Sequence, residues 1–166
     1  MKHLSGKVVV ITGTGSGIGR ALALRLAQEG CHLALSDIDT TMLQETENLV
    51  SAFKVEVSCH QVDVSNKDQM YAHADEVAKT HGRVDMIINN AGVSVTDSVA
   101  NVSYEDFEWL MRINFWGVVY GTKASLPHLK KQAEGHVVNI SSINGFSPWL
   151  LHHENKFTVM LEILTT

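Results

Sequence analysis

Thr12-Gly13-Thr14-Gly15-Ser16-Gly17-Ile18-Gly19 follows directly on the apolar, β-branched run Val8-Val9-Val10-Ile11, and the junction of these two stretches decides the fold. Glycines at alternate positions let the backbone turn tightly and approach a bound group closely. Ile18, Ala21, Leu22 and Leu26 then recur at spacings that place them on one helical face. A strand, a glycine-rich turn and a helix opening at that turn make a cradle for a dinucleotide pyrophosphate, because the free N–H groups of a helix N-terminus complement phosphate charge. A glycine-rich turn with no ligand is the competing reading; the strand before it and the helix after it supply the context that dinucleotide binding requires.

Outward from this point the chain alternates short β-branched runs with longer stretches of helical period, the pattern of a parallel sheet covered on both faces. Gly30 stops the first helix. The pattern predicts strands over 32–36, 55–64, 84–88 and 136–140, and helices over 40–53 and through Met70, Ala74, Val77 and Ala78. Ser65 with Asp68, and Ser103 with Asp106, have the spacing of helix caps. The second opens a long helix through Phe107, Leu110, Met111, Asn114 and Phe115 towards Pro127. The expected class is α/β, a doubly wound parallel sheet of about five strands. Residues 1–147 are expected to form one domain, with Pro148 and Trp149 leading into an irregular tail over 148–166.

The chain has 166 residues, enough for one such domain with a real core. Its net charge of -5, with both signs interleaved, leaves no basic stripe for nucleic acid or an anionic membrane surface. Neither is expected as a partner. No run is long enough to cross a bilayer, and residues 1–7 hold no apolar stretch of an export signal, so the expected location is the cytoplasm. Cys31 and Cys59 lack the spacing of a zinc site or redox pair and read as buried thiols in a reducing compartment. Among nine histidines only His152 and His153 are adjacent, without a companion ligand framework, so no metal is expected.

The glycine motif has the form T-G-x-x-x-G-x-G, with Gly13, Gly17 and Gly19 in the diagnostic places. Further stretches follow in order: Asp63-Val64, Asn89-Asn90-Ala91-Gly92, Asn114 within Arg112-Ile113-Asn114-Phe115-Trp116-Gly117, and Val138-Asn139-Ile140-Ser141-Ser142 followed by Gly145. In this series the chain resembles the short-chain dehydrogenase/reductase family over roughly its first nine-tenths, and such a series is far more specific than any single motif. The resemblance implies a Rossmann fold, its five strands in the order 3-2-1-4-5, that binds NAD(P). It places the cofactor against Gly13, Gly15, Ser16, Gly17, Ile18 and Gly19, the adenine beside Asp63 and Val64, and the cleft floor at Asn90, Ala91 and Gly92.

About 20 positions beyond the glycine motif stands Asp37, where a carboxylate accepts hydrogen bonds from the adenosine ribose and repels a 2′-phosphate. Asp37 also reads as a helix cap beside Asp39. The variable part of the motif holds no basic residue, so NAD is favoured over NADP, and Arg20 is the one nearby group able to serve a phosphate.

The resemblance also implies a catalytic set. Asn114 matches the asparagine that holds a water in the family's proton relay, and Ser142 the serine that polarises the substrate carbonyl. Lys156 matches the lysine that lowers the pKa of a tyrosine one helical turn earlier. That tyrosine is absent: Tyr71, Tyr104 and Tyr120 all precede Ser142, and His152 stands four residues before Lys156. Two readings of His152 stand, a replacement proton carrier in the i, i+4 relation to Lys156, or part of a solvated tail. Family members continue for about another hundred residues, within the usual size of one domain, which would add two strands, a substrate lid and contacts to the nicotinamide.

Two functions therefore remain in view: an NAD(P)-dependent oxidoreductase acting on a carbonyl or secondary alcohol, impaired in this chain, or a non-catalytic dinucleotide-binding or interaction protein. Trp109, Phe115, Trp116 and Tyr120, on the helix over 103–127, read either as a homo-oligomer contact or as core, with residues 157–164 as the remnant of a partner helix.

Overall fold

A computed structural model of the chain describes residues 3–97, 100–141 and 157–159. Strand β1 (Val8–Thr12) is buried throughout, as expected of a central parallel strand covered on both faces. β2 (His32–Asp37), β3 (Val57–Gln61), β4 (Met86–Asn89) and β6 (His136–Asn139) join it in one sheet, ordered β3-β2-β1-β4-β6, with every pairing parallel. Since β6 is the fifth strand of this sheet, the order is the expected 3-2-1-4-5.

The two faces of β1 separate cleanly. Val9 and Ile11 pack with Leu33, Leu35 and Ile88 under Ala23 and Leu26 of α1 (Gly17–Gln28) and Leu43 and Val50 of α2 (Thr40–Val50). Val8 and Val10 face the other way, towards Val77 of α3 (Lys67–His81) and Leu129 of α5 (Gly117–Leu129). The period of two along the strand thus builds a core on each side of the sheet.

Several boundaries depart from expectation. The third strand is shorter at both ends than 55–64. The N-cap of α3 is Asn66, whose side chain accepts from the Gln69 N–H at 3.1 Å. Ser65, expected to cap with Asp68, instead bonds the Asp63 carboxylate through its N–H and hydroxyl. The cap at Ser103 forms as expected, accepting from the Asp106 N–H at 3.0 Å. The helix it opens has three parts: α4 (Tyr104–Leu110), a π-helical stretch (Met111–Trp116) and α5, which carries Pro127 in its last turn and ends at Leu129. Residues 157–159, expected at the start of a helical remnant, form β7 (Phe157–Val159), antiparallel to β5 (Val95–Asp97). Thr158 and Val159 are β-branched and pair with Thr96 and Val95, so local preference and a long-range ladder both favour a strand here.

At the amino end of the sheet, the side chain of Asp85 is fully buried between three donors. It accepts from the Val8 N–H at 3.0 Å, from Lys7 Nζ at 3.3 Å, and from Arg83 through Nε at 2.7 Å and through Nη2. Burial pushes its pKa up, but the bonds from Arg83, Val8 and Lys7 prevail and hold it below the usual carboxylate range. Removing Asp85 leaves the buried Val8 N–H without its acceptor and frees the half-exposed Lys7 and Arg83, so Asp85→Ala should cost about 2 kcal/mol in urea unfolding. Because the folded pKa is depressed, wild-type Asp85 stabilises the fold above about pH 4 and loses that contribution as pH falls further. An Asp85→Ala chain as stable as wild type at pH 7 would remove this cluster from the account.

His73 on α3 is buried against the His60 ring of β3, with centroids 4.7 Å apart, and neither of its ring nitrogens has a hydrogen-bond partner among the described residues. Burial first, and the nearby His60 second, push its pKa down to about 3. An unfolded histidine titrates near about pH 6.5. As pH falls below that value the unfolded chain takes up a proton that the folded chain refuses, so stability declines until the folded pKa is reached. The slope reaches about 1.4 kcal/mol per pH unit for one proton. His73→Leu should flatten thermal stability between pH 6.5 and pH 4, and an unaltered pH profile would assign the acid sensitivity to other groups.

Candidate active site

The carboxyl ends of β1 to β4 open on a cleft of about 400 Å³. It lies where the strand order reverses across β1 and β4, the place where open α/β sheets bind ligands. Of the residues expected around a dinucleotide, Gly13, Ser16, Ile18, Asp37, Asp63, Val64, Asn90, Ala91 and Gly92 line it.

Gly15, Gly17 and Gly19 are not among the lining residues, and two of them serve close backbone packing. A Cβ on Gly19 would collide with the carbonyl oxygen of Gly13, and one on Gly15 would lie 2.9 Å from Asp37 Oδ2. Gly13, at φ 70°, sits under Ala91, whose Cα would be 2.7 Å from an added Cβ. Gly17 has φ 54° with open space around it.

The two readings of Asp37 separate in the structure. Asp39 caps α2, accepting from the Met42 N–H at 3.0 Å. Asp37 faces the cleft, its Oδ2 accepting from the Gly15 N–H at 2.7 Å and its Oδ1 from the Asp39 N–H at 3.0 Å. Each carboxylate oxygen keeps lone-pair capacity for a further donor. Arg20 is turned away, onto Glu45 and Thr46 of α2.

The start of α1 is chemically different from its neighbours. Side chains of Asp39, Asn66 and Ser103 cap α2, α3 and α4, whereas Ser16 makes no side-chain cap bond to α1. The first N–H groups of α1 therefore lack a side-chain acceptor, and the positive end of its dipole stands at the cleft that Ser16 and Ile18 line.

Asn89-Asn90-Ala91-Gly92 binds the ends of the strands together. Asn90 Nδ2 donates to the carbonyls of Thr12 and Gly13 at 2.9 and 3.0 Å, and the N–H groups of Asn90 and Ala91 both donate to Thr12 Oγ1 at 3.1 Å. Asn89 Nδ2 donates to Thr122 Oγ1 and Asn139 Oδ1, which ties β4 to α5 and β6. Asp63 lies at the far wall, its Oδ1 held by Ser65. Val64 packs against Gly117, where an added Cβ would lie 3.0 Å from Val64 Cγ2.

Asn114 lies in the π-helical stretch. Its Oδ1 accepts from the Val93 N–H at 2.9 Å and its Nδ2 donates to the Val93 carbonyl at 2.8 Å. Both ends of the carboxamide thus clamp the backbone just after Gly92. Ser142, His152 and Lys156 lie outside the described residues. Ile38, Val62, Val93 and Ile113 also line the cleft and were not singled out in the sequence. Ile38, Val62 and Val93 each adjoin a motif residue, and Ile113 adjoins Asn114, so adjacency was the available signal. Among the described residues no group of three His, Cys, Asp or Glu side chains could hold a metal.

A family model described as short chain dehydrogenase matches residues 7–153. The chain belongs to that family. SadH of Mycobacterium tuberculosis is 46% identical over 145 residues, covering 87% of this chain and 52% of the relative. Among solved structures, a short chain dehydrogenase/reductase from Burkholderia phymatum in complex with NAD superposes with a TM-score of 0.85 at 39% identity, covering 89% of this chain and 53% of the other. An NAD+-bound xylitol dehydrogenase gives 0.84 at 33% identity, covering 88% and 56%. The chain thus spans about half the length of the relatives it matches.

The glycine packing has a measurable order. Gly19→Ala should cost about 2–3 kcal/mol, because its Cβ must displace backbone, whereas Gly17→Ala, strained only by its positive φ, should cost about 1 kcal/mol. Thermal unfolding of the two variants checks this, and a reversed order would contradict the loop geometry.

Proposed function

We propose that this chain is the cofactor-binding part of an NAD-linked oxidoreductase acting on a small carbonyl or secondary alcohol. The observation that carries this reading is Asp37, placed by two backbone N–H bonds at the wall of a cleft into which the uncapped N-terminus of α1 opens. A carboxylate there suits a ribose diol and opposes a 2′-phosphate, while the α1 N–H groups suit a pyrophosphate. Two similar structures hold NAD, which supports the same cofactor.

In this reading Gly13, Gly15, Ser16, Gly17, Ile18 and Gly19 form the pyrophosphate turn, and Asp37 holds the adenosine ribose. Asp63 and Val64, with Ile38 and Val62, bound the adenine side, and Asn90, Ala91 and Gly92 form the floor towards the reacting end. When bound, NAD supplies the carbon that gives or takes hydride. Asn114 holds Val93 and with it the wall next to Gly92. Ser142 and Lys156 are assigned to carbonyl polarisation and ribose binding from their motif positions, and His152 occupies the place of the family's tyrosine.

We further propose that turnover by this chain is impaired, because a histidine differs from a tyrosine in reach and proton affinity at a step that tolerates little misplacement. The second reading, a dinucleotide-binding protein without catalysis, rests on that same residue. Self-association through α4 and the π-helical stretch is supported by Trp109 and Trp116, each 43% exposed, which argues against a core role for them. A cytoplasmic, reducing setting is supported by the free thiols of Cys31 and Cys59. No helix among the described residues is long and apolar enough to cross a membrane.

Calorimetric titration with NADH and NADPH tests the reading. NADH should bind more tightly, and Asp37→Ala should narrow the preference by about tenfold, the equivalent of one charge-assisted hydrogen bond. No turnover should be seen over a panel of ketones and alcohols. Turnover abolished by His152→Ala would make that histidine the proton carrier, and absence of NADH binding would overturn the proposal.

A further inference from the structure

Arg20 has the charge to meet a phosphate, yet its guanidinium faces the opposite way. Nε donates to Thr46 Oγ1 at 2.9 Å, and Nη2 donates to the carbonyl of Gly15 and to that of Met42 at 3.2 Å. Glu45 Oε2 pairs with the same Nη2 at 2.9 Å. Thr46, fully buried on α2, passes the connection on, its hydroxyl donating to the Thr14 carbonyl at 2.8 Å. Two successive carbonyls of the glycine turn, Thr14 and Gly15, are therefore held from the α2 side by one linked pair of side chains.

In a trans peptide the C=O and the following N–H point in opposite directions. Holding the Thr14 carbonyl on α2 directs the Gly15 N–H to the far side, where it meets Asp37 Oδ2 at 2.7 Å. By the same geometry, holding the Gly15 carbonyl on Arg20 turns the Ser16 N–H away from α2, on the residue that lines the cleft. Without these two anchors either peptide plane could rotate, because glycine on one side of each offers little resistance.

We infer that Arg20, through Thr46 and the Gly15 carbonyl, is a positioning residue that sets the peptide planes of the glycine turn for a diphosphate, without touching the ligand. The inference rests on the proposed dinucleotide site. It also accounts for how an arginine beside a phosphate cradle is compatible with the proposed NAD preference: its Nε and Nη2 are engaged with Glu45, Thr46 and two carbonyls. Glu45 is the charge that keeps the guanidinium on α2.

The test compares ligands with and without a diphosphate for the turn to hold. NADH, NADPH, ADP and adenosine are titrated into the wild-type chain and Arg20→Met, and the ligand-free unfolding midpoint of each is measured. Arg20→Met should weaken NADH and ADP about tenfold, the loss of one charge-assisted hydrogen bond, while adenosine changes by less than about threefold. A general loosening of the fold would lower all three together and overturn the inference. So would ADP binding that matches wild type, or a loss confined to NADPH, which would make Arg20 a direct phosphate ligand. If Arg20→Met does not fold, Thr46→Val decides: a smaller loss with the same ADP-over-adenosine split supports the inference, and unchanged ADP affinity overturns it. A wild-type chain that binds neither NADH nor ADP removes the proposed function itself, and this inference with it.

Discussion

Thr12 and Asn90 lock the ends of β1 and β4 together, and the rest of the site is built on that lock. Four bonds join them: two from the Asn90 carboxamide to the carbonyls of Thr12 and Gly13, and two from backbone N–H groups to the Thr12 hydroxyl. Neighbouring parallel strands would otherwise part at their ends, leaving these half-buried polar groups without partners, at a cost that exceeds what each bond contributes net. With the lock closed, Gly13 lies against Ala91, Gly19 lies against Gly13, and the cleft opens at the point where the chain turns from one half of the sheet to the other. Asp85 does the complementary work at the other end of β1, so a central strand whose apolar side chains fill both cores is pinned by polar groups at both tips.

The helix ends divide by purpose. Stability favours capping every helix, and α2, α3 and α4 carry side-chain caps worth about 1 kcal/mol each. α1 forgoes this, and its amides stay available at the cleft. The π-helical stretch is a comparable departure from the most regular geometry. It lies where Asn114 reaches both polar groups of Val93 and where Gly117 lets the helix settle on Val64. Irregular backbone in both places is associated with the cleft, consistent with strained or under-satisfied elements clustering at functional sites.

Much of this was legible in the residues. The glycine turn and the alternation of strands with helices follow from periodicity and spacing, the order of the five-stranded sheet is the one the resemblance implies, and motif residues far apart in sequence, Gly13, Asp37, Asp63 and Asn90, line one cleft. Less legible were choices between near-equivalent polar groups. Asp37 and Asp39 are both capable caps, and Ser65 and Asn66 both open α3; in each case the neighbour one or two residues away takes the role. The chain of bonds from Arg20 to Thr46 to Thr14 crosses three elements and has no local signature.

The sequence by itself determined what short-range physics can decide. Glycine at Gly13 and Gly17 permits positive φ, β-branched runs extend, and apolar residues three and four apart give a helix one buried face. Those preferences act within a few residues and survive in any context. The tertiary structure decided which acceptor each donor finds: Asp37 for Gly15 rather than for a helix end, Val93 for Asn114, Gly15 and Thr46 for Arg20, and Val95–Asp97 as the strand partner of Phe157–Val159. Hydrogen bonds act over about 3 Å, so their pairing depends on how distant segments cross, and that is known only once the sheet has brought them together.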